Sequence, residues 1–170
     1  MSQPVYIVDY DPVWPERYES ERRRVMRVIG RRVRSIEHIG STSVPGLGAK
    51  PIIDILAGVD DQENADLCVE ALAALGYDDV TPQPENPDWF YCLGRRLEGP
   101  YCHLHLVREG SEFQGDHLIF RDYLRENPDA CREYHELKKG LAERHRCQRQ
   151  AYTEAKTEFI RSAIELIRSK

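Results

Sequence analysis

Several features that often identify a small protein at a glance are absent from this one. The five cysteines (Cys68, Cys92, Cys102, Cys131 and Cys147) include no CxxC pair, and an odd number argues against a disulfide framework or a cysteine zinc site. They are expected to be reduced packing residues. No apolar stretch approaches the length of a membrane span, and the opening MSQPVYIVDYDPVWP has neither a basic start nor an apolar signal core. A cytoplasmic protein without membrane contact is expected. Positive charge is not in excess either: the net charge is −5, with Arg-rich and Glu-rich stretches interleaved. That leaves no face broad enough for duplex nucleic acid, although a local basic pocket for a small phosphorylated ligand is compatible with it. Repeats and low-complexity segments are also missing. What remains is an ordinary globular composition, 41% hydrophobic and 31% charged over 170 residues, enough for one domain with a proper core.

Within that chain one stretch stands out, IEHIGSTSVPGLGAKPIIDILAGV at residues 36–59. It reads as two apolar strands with a Gly-Ser turn between them. The second, Pro51 to Val59, is almost unbroken apolar sequence, the pattern of a strand covered on both faces. Asp54 stands in its middle. An ionised carboxylate there is costly unless it meets a metal ion, a basic side chain or several hydrogen-bond donors, so Asp54 is expected at the bottom of a pocket. Upstream, Gly40 allows a tight turn and close approach of a ligand, and Ser41, Thr42 and Ser43 offer hydroxyl donors to a phosphate. Phosphate donors plus a cation-holding carboxylate are what phosphoryl or nucleotidyl transfer requires.

The rest of the chain is read as follows. Val5 to Val8 is a short edge strand, and a helix runs from about Pro15 to Ile29, ended by Gly30. Its Arg22, Arg23, Arg24 and Arg27 read either as a phosphate-binding cluster or as an outward face paired with Glu19 and Glu21. Asp60 or Asp61 caps a helix to Leu75, with Gly76 as its stop. Thr81 to Asp88 is a polar, Pro-rich loop. Trp89 to Leu93 and Pro100 to Arg108 are strands joined by a turn at Gly94 to Gly99, which is placed to act as a lid. Three helices follow, from Asp116 to Arg125, Asp129 to about Arg146, and Gln148 to Ile167.

Alternation puts Tyr101, His103, His105 and Val107 on one face of their strand and Cys102, Leu104 and Leu106 on the other. The two histidines have a metal-ligand spacing. They read equally as hydrogen-bond donors to a phosphate or as structural residues. On the last helix Tyr152, Ala155, Lys156, Phe159, Ile160 and Ala163 share an inward stripe, so Lys156 either snorkels to the core edge or delivers its ammonium to an internal acceptor.

The run GSTSVPGLGAKPIIDI, the later HLHL, the segment HLIFRDYLR and the closing YTEAKTEFI together resemble the GrpB family of small bacterial proteins, over essentially the whole chain. The resemblance implies an α/β fold of the nucleotidyltransferase type, a mixed sheet flanked by helices with a helical C-terminal third. In that superfamily a Gly-Ser turn precedes an acidic pair on the next strand, and a third acid from a later strand helps to hold two metal ions. Here the period-two neighbours of Asp54 are Ile52 and Leu56, so one acid of the pair is missing, and His103 or His105 occupies the place of the third. The expected site is therefore Asp54, His103 and His105 around a divalent metal (Mg²⁺, Mn²⁺ or Zn²⁺), with Asp54 the catalytic candidate. Gly40, Ser41, Thr42, Ser43, Lys50, Arg121, Lys138, Tyr152 and Lys156 are the ligand-binding candidates. Three functions follow: metal-dependent nucleotidyl transfer to a small acceptor, a non-catalytic module that keeps the nucleotide or phospho-ligand pocket, or a partner of a kinase in coenzyme A biosynthesis.

Overall fold

A computed structural model describes residues 6–95 and 101–169. Its centre is a five-stranded mixed sheet. In chain order the strands are β1 (Val33–Ile39), β2 (Ile52–Val59), β3 (Asp79–Pro82), β4 (Trp89–Arg95) and β5 (Tyr101–Arg108), and they lie side by side as β1-β2-β5-β4-β3. β2 and β5 run parallel and every other pair is antiparallel.

One face of the sheet carries Ile53, Ile55, Ala57 and Val59 from β2, Leu93 from β4, and Cys102, Leu104 and Leu106 from β5, all fully buried. Two helices cover it. α1 (Trp14–Ile29) contributes Trp14, Val25 and Ile29, and α2 (Gln62–Ala73) contributes Ala65, Cys68 and Leu72. Asp61 caps α2 by accepting from Asn64 N at 2.8 Å, as its sequence suggested. On α1, Arg22 and Arg24 pair with Glu19 and Glu21, so both belong to the outward-facing, ion-paired reading. Glu21 itself is buried, where it accepts hydrogen bonds from the Tyr77 hydroxyl and Arg95 Nη1 and ties α1 to the far side of the sheet.

The opposite face is covered in part by α3 (Glu112–Glu126), whose Phe113 and Leu118 pack on Ile39, Leu56, Val107 and Trp89. Helices α4 (Pro128–Arg144) and α5 (Arg149–Arg168) do not sit on the sheet. They pack with α3 around a second core of Val44, Leu47, Phe120, Leu124, Tyr134 and Ile164, so the loop after β1 is held by the C-terminal helices. Near the N-terminus, Val8 forms an isolated bridge to Ala49, with two backbone hydrogen bonds of 2.9 Å.

Two expectations change. The segment expected as a loop from Thr81 contains the end of β3, an edge strand whose four residues are all exposed. Its outer edge demands no N–H from Pro82, and without a buried face it shows no apolar alternation. α3 begins at Glu112, four residues before the expected Asp116, because Ser111 caps it by accepting from Gln114 N at 3.2 Å. Val5 and the greater part of the proposed lid, residues 96–99, lie outside the described residues.

Candidate metal and anion site

The site is assembled by strand register. Asp54 on β2 lies between Ile39 on β1 and His103 on β5, and the parallel pairing brings both odd-numbered histidines of β5 to its side. Asp54 Oδ1 is 3.3 Å from His103 Nδ1 and 3.4 Å from His105 Nε2. The ligand atoms of all three residues lie within 4.8 Å of one another. For metal bonds of about 2.0–2.1 Å the edge of a ligand tetrahedron is roughly 3.3–3.4 Å, so the spacing of this donor set suits a small divalent ion. Two imidazoles and one carboxylate leave a coordination position for water or substrate, and they favour Zn²⁺, Mn²⁺ or Fe²⁺ over Mg²⁺. Asp54 was expected to be mostly buried. Its side chain is 27% exposed, against 20% and 16% for His103 and His105, so most of each is covered while a part stays open to solvent. The cover provided by α3 reaches Leu56, one row further along the sheet.

Burial opposes the charge on Asp54, but the hydrogen bonds to His103 and His105 outweigh it and hold the carboxyl well below its usual range. Burial likewise disfavours the charged form of His105. Its contacts with Asp54 and the Cys92 thiol, which faces it from β4, raise it to about 9. Both shifts favour the charge pair of Asp54⁻ with His105⁺, and a metal ion held by His105 would have to displace that proton.

Gly40 closes the other side of the carboxylate. Its φ of +71° and ψ of −178° belong to a region open essentially to glycine, and a Cβ there would stand 2.6 Å from Asp54 Oδ2. Gly40→Ala is expected to destabilise the protein by about 1–3 kcal/mol through the backbone alone and to displace Asp54. Thermal unfolding and metal titration of the variant check this. Unchanged metal affinity would show that the close approach does not set the carboxylate's position.

Of the three hydroxyls after Gly40, two turn inward. Thr42 donates to Ile52 O at 3.1 Å, and Ser43 donates to Gly40 O at 2.6 Å. Both are buried and brace the turn, so they do not line the groove. Since the Thr42 hydrogen is committed, the 3.0 Å contact with His38 makes His38 Nε2 the donor, in keeping with burial lowering His38 to about 4. Ser41 points elsewhere, to Lys138 Nζ at 2.9 Å.

Lys138, one of the expected ligand-binding residues, is fully enclosed. It is 1% exposed on α4, and besides Ser41 its ammonium donates to Gly48 O at 2.5 Å and lies 5.0 Å from the centre of the Tyr134 ring. Burial, reinforced by the charge of Lys156, lowers it to about 7. Tyr152 on α5 is buried, with Lys50 Nζ 4.6 Å and Lys156 Nζ 5.8 Å from its ring centre. Ser41, Lys50, Lys138, Tyr152 and Lys156 thus come together where the turn meets α4 and α5. Arg121 does not join them. Its guanidinium binds Glu37, Asp122 and the His38 carbonyl and serves to fasten α3 to β1.

Three neighbours were not singled out from sequence. Arg125 donates twice to Ser43 O, at 3.0 and 2.8 Å, and pins the turn to α3. Cys92 stands opposite His105 on the neighbouring strand, and its thiol helps to raise that imidazole. His117 on α3 must carry its proton on Nδ1, which contacts Phe113 O at 2.8 Å, leaving Nε2 as an acceptor on a ring whose charge is felt by His105 and Asp54. Only the Gln114 and Phe113 positions of a helix begun at Ser111 would have pointed to that face, and the helix start was misplaced.

UPF0157 protein BH1888 of Halalkalibacterium halodurans is 37% identical over 163 residues, covering 95% of this chain and 81% of its own length. A dephospho-CoA kinase of Mycolicibacterium paratuberculosis is 29% identical over 94% of this chain, which spans only 45% of that longer protein. Among solved structures, GrpB from Enterococcus faecalis has a TM-score of 0.77 at 31% identity, covering 93% of this chain and 99% of its own. A chain of the GLD-2/RNP-8 complex has a TM-score of 0.53 at 16% identity over 87% of this chain and 58% of its own, a likeness of fold alone. The family described as GrpB protein matches residues 4–166, and the chain belongs to the GrpB family.

Proposed function

We propose that this protein binds a nucleotide or another phosphorylated small molecule across the Gly40–Ser41 turn, with a divalent metal on one side and the lysine cluster on the other. The observation that carries this reading is the continuity of the two halves. Gly40 leaves no room for a Cβ beside the Asp54 carboxylate that would hold the metal, and the next residue, Ser41, is bonded to the buried Lys138. Asp54, His103 and His105 would hold the ion, which when bound supplies Lewis acidity toward a phosphate oxygen. Ser41, Lys50 and Lys156 would receive the anionic oxygens, with Lys138 behind them. Nucleotidyl transfer to a small acceptor is the activity this arrangement fits. The non-catalytic alternative is favoured by one observation: Asp54 is flanked at period two by Ile52 and Leu56, and no other carboxylate joins its cluster among the described residues. The likeness to part of a dephospho-CoA kinase supports the further alternative of a partnership with such a kinase.

A panel of nucleotides with Mg²⁺, Mn²⁺ or Zn²⁺ in a thermal-shift assay tests the reading. A ligand at about one hundred times its dissociation constant adds roughly 2.7 kcal/mol of stability, and the largest shift is expected with Mn²⁺ or Zn²⁺ and a nucleotide together. Affinity for metal should be weaker at pH 6 than at pH 8, because only neutral imidazole ligates. No shift with any pair would sink the proposal.

A further inference from the structure

Ser41 and Lys138 also have the geometry of a reacting pair. A nucleophilic hydroxyl is recognised by a base within hydrogen-bond reach, itself oriented by a third group. Ser41 Oγ lies 2.9 Å from Lys138 Nζ, and the Gly48 carbonyl fixes the amine from the other side. Ser41 is partly exposed at the first position of a 3₁₀ turn that follows β1 and the positive-φ Gly40, and its hydroxyl is bonded to a base that is itself fully enclosed. The groups facing Lys138 are Cys131 and Tyr134 on its own helix, Lys156 on α5, and Ser41 and Gly48 on the segment after β1. No carboxylate within salt-bridge distance pairs with it among the described residues.

We propose that Ser41 is a nucleophile and Lys138 its general base, and that Ser41 Oγ accepts a phosphoryl group from a small anionic anhydride of the acyl-phosphate class. This rests on the anion pocket described above but not on its metal. In the step, the Ser41 hydroxyl proton passes to Lys138 Nζ. The Oγ–P bond forms as the bridging P–O bond breaks, and the carboxylate leaves with the electron pair. Lys138 then returns its proton to solvent. The lysine is suited to this because burial and the Lys156 charge bring it to about 7, so that it is substantially neutral at physiological pH. The contact that the ammonium donates to Ser41 then reverses, with the hydroxyl donating to the amine lone pair. Lys50 and Lys156, gathered around the Tyr152 ring, favour a donor that carries negative charge.

The test is incubation of the protein with acetyl phosphate in the presence of EDTA, followed by peptide mass spectrometry. Phosphoserine at residue 41 is expected, absent in Ser41→Ala and formed at least about 100-fold more slowly in Lys138→Met, the usual worth of a general base. The wild-type rate should climb about tenfold per pH unit below pH 7 and level off above pH 8, a readout that does not depend on the variant folding. Absence of the adduct, adducts confined to lysine side chains, an equal rate in a folded Lys138→Met, or a flat pH profile would each overturn the assignment. Chelation keeps the outcome separate from the metal reading: failure of the nucleotide shift would leave a Ser41 adduct intact, and a missing adduct in a protein that passes the shift assay would remove only this step.

Discussion

Asp54→Asn is expected to give a folded protein that has lost metal binding. The carboxamide has nearly the shape of the carboxylate and can still hydrogen-bond His103 or His105, but it offers a neutral and much poorer ligand. Removal of outer partners of metal ligands commonly costs 10–100-fold in affinity, so loss of a ligand itself should exceed about 100-fold. Titration with Mn²⁺ or Zn²⁺, together with a circular dichroism spectrum, checks both halves. The substitution also removes a pH effect. In the wild type Asp54 is held below its ordinary value of 3.8 by the two histidines, against the pull of burial. Its contribution to stability is present above that ordinary value and disappears as acid protonates the folded carboxyl, so the variant should lose less stability than the wild type on acidification. A variant that binds metal as tightly as the wild type would remove Asp54 from the proposed coordination set.

Lys138→Met is expected to change how stability depends on alkali. The lysine is about 7 in the folded protein against an ordinary 10.5, lowered by burial first and by Lys156 second. Between those values the unfolded chain carries the proton and the folded one does not. Wild-type stability should therefore rise with pH across that window, by about 1.4 kcal/mol per unit for one proton. Below pH 7 both states are protonated, and the folded protein bears the full cost of an enclosed ammonium. Methionine fills the same channel without a charge. Denaturant unfolding at pH 7 and pH 9 should show a wild-type gain of roughly 2–3 kcal/mol that the variant lacks. Parallel profiles would mean that Lys138 remains charged within the fold.

The centre of this protein could be read because its signals are covalently local. A nearly uninterrupted apolar run with one acid, followed far along the chain by two histidines at period two, is enough to place Asp54, His103 and His105 on sheet positions. Their meeting depends on β2 and β5 being parallel neighbours, which only the likeness to a known fold supplied. Lys138 was one of the ligand-binding candidates, but nothing in the sequence revealed that its ammonium would be enclosed with no carboxylate to meet it among the described residues. That Thr42 and Ser43 turn to backbone carbonyls was hidden for a related reason. A hydroxyl in a turn can point to ligand or to backbone, and residue type does not distinguish the two. Arg121 illustrates the same limit for charge: Glu37, Asp122 and a carbonyl claim it, and of these only Asp122 is close in sequence.

The bridge between Val8 and Ala49 bears on how the protein is handled in the laboratory. Two hydrogen bonds link the N-terminal segment to the residue just before Lys50, and the Val8 carbonyl also lies against Gly48, whose own carbonyl receives Lys138. An affinity tag trimmed into residue 8, or a start codon moved past it, would unfasten the strap behind two of the three lysines and also remove Val8 from the edge of the core that α1 and α2 form with the sheet. Such a preparation would be a poor one in which to test the proposed anion site, so residue 8 and its neighbours are best left intact.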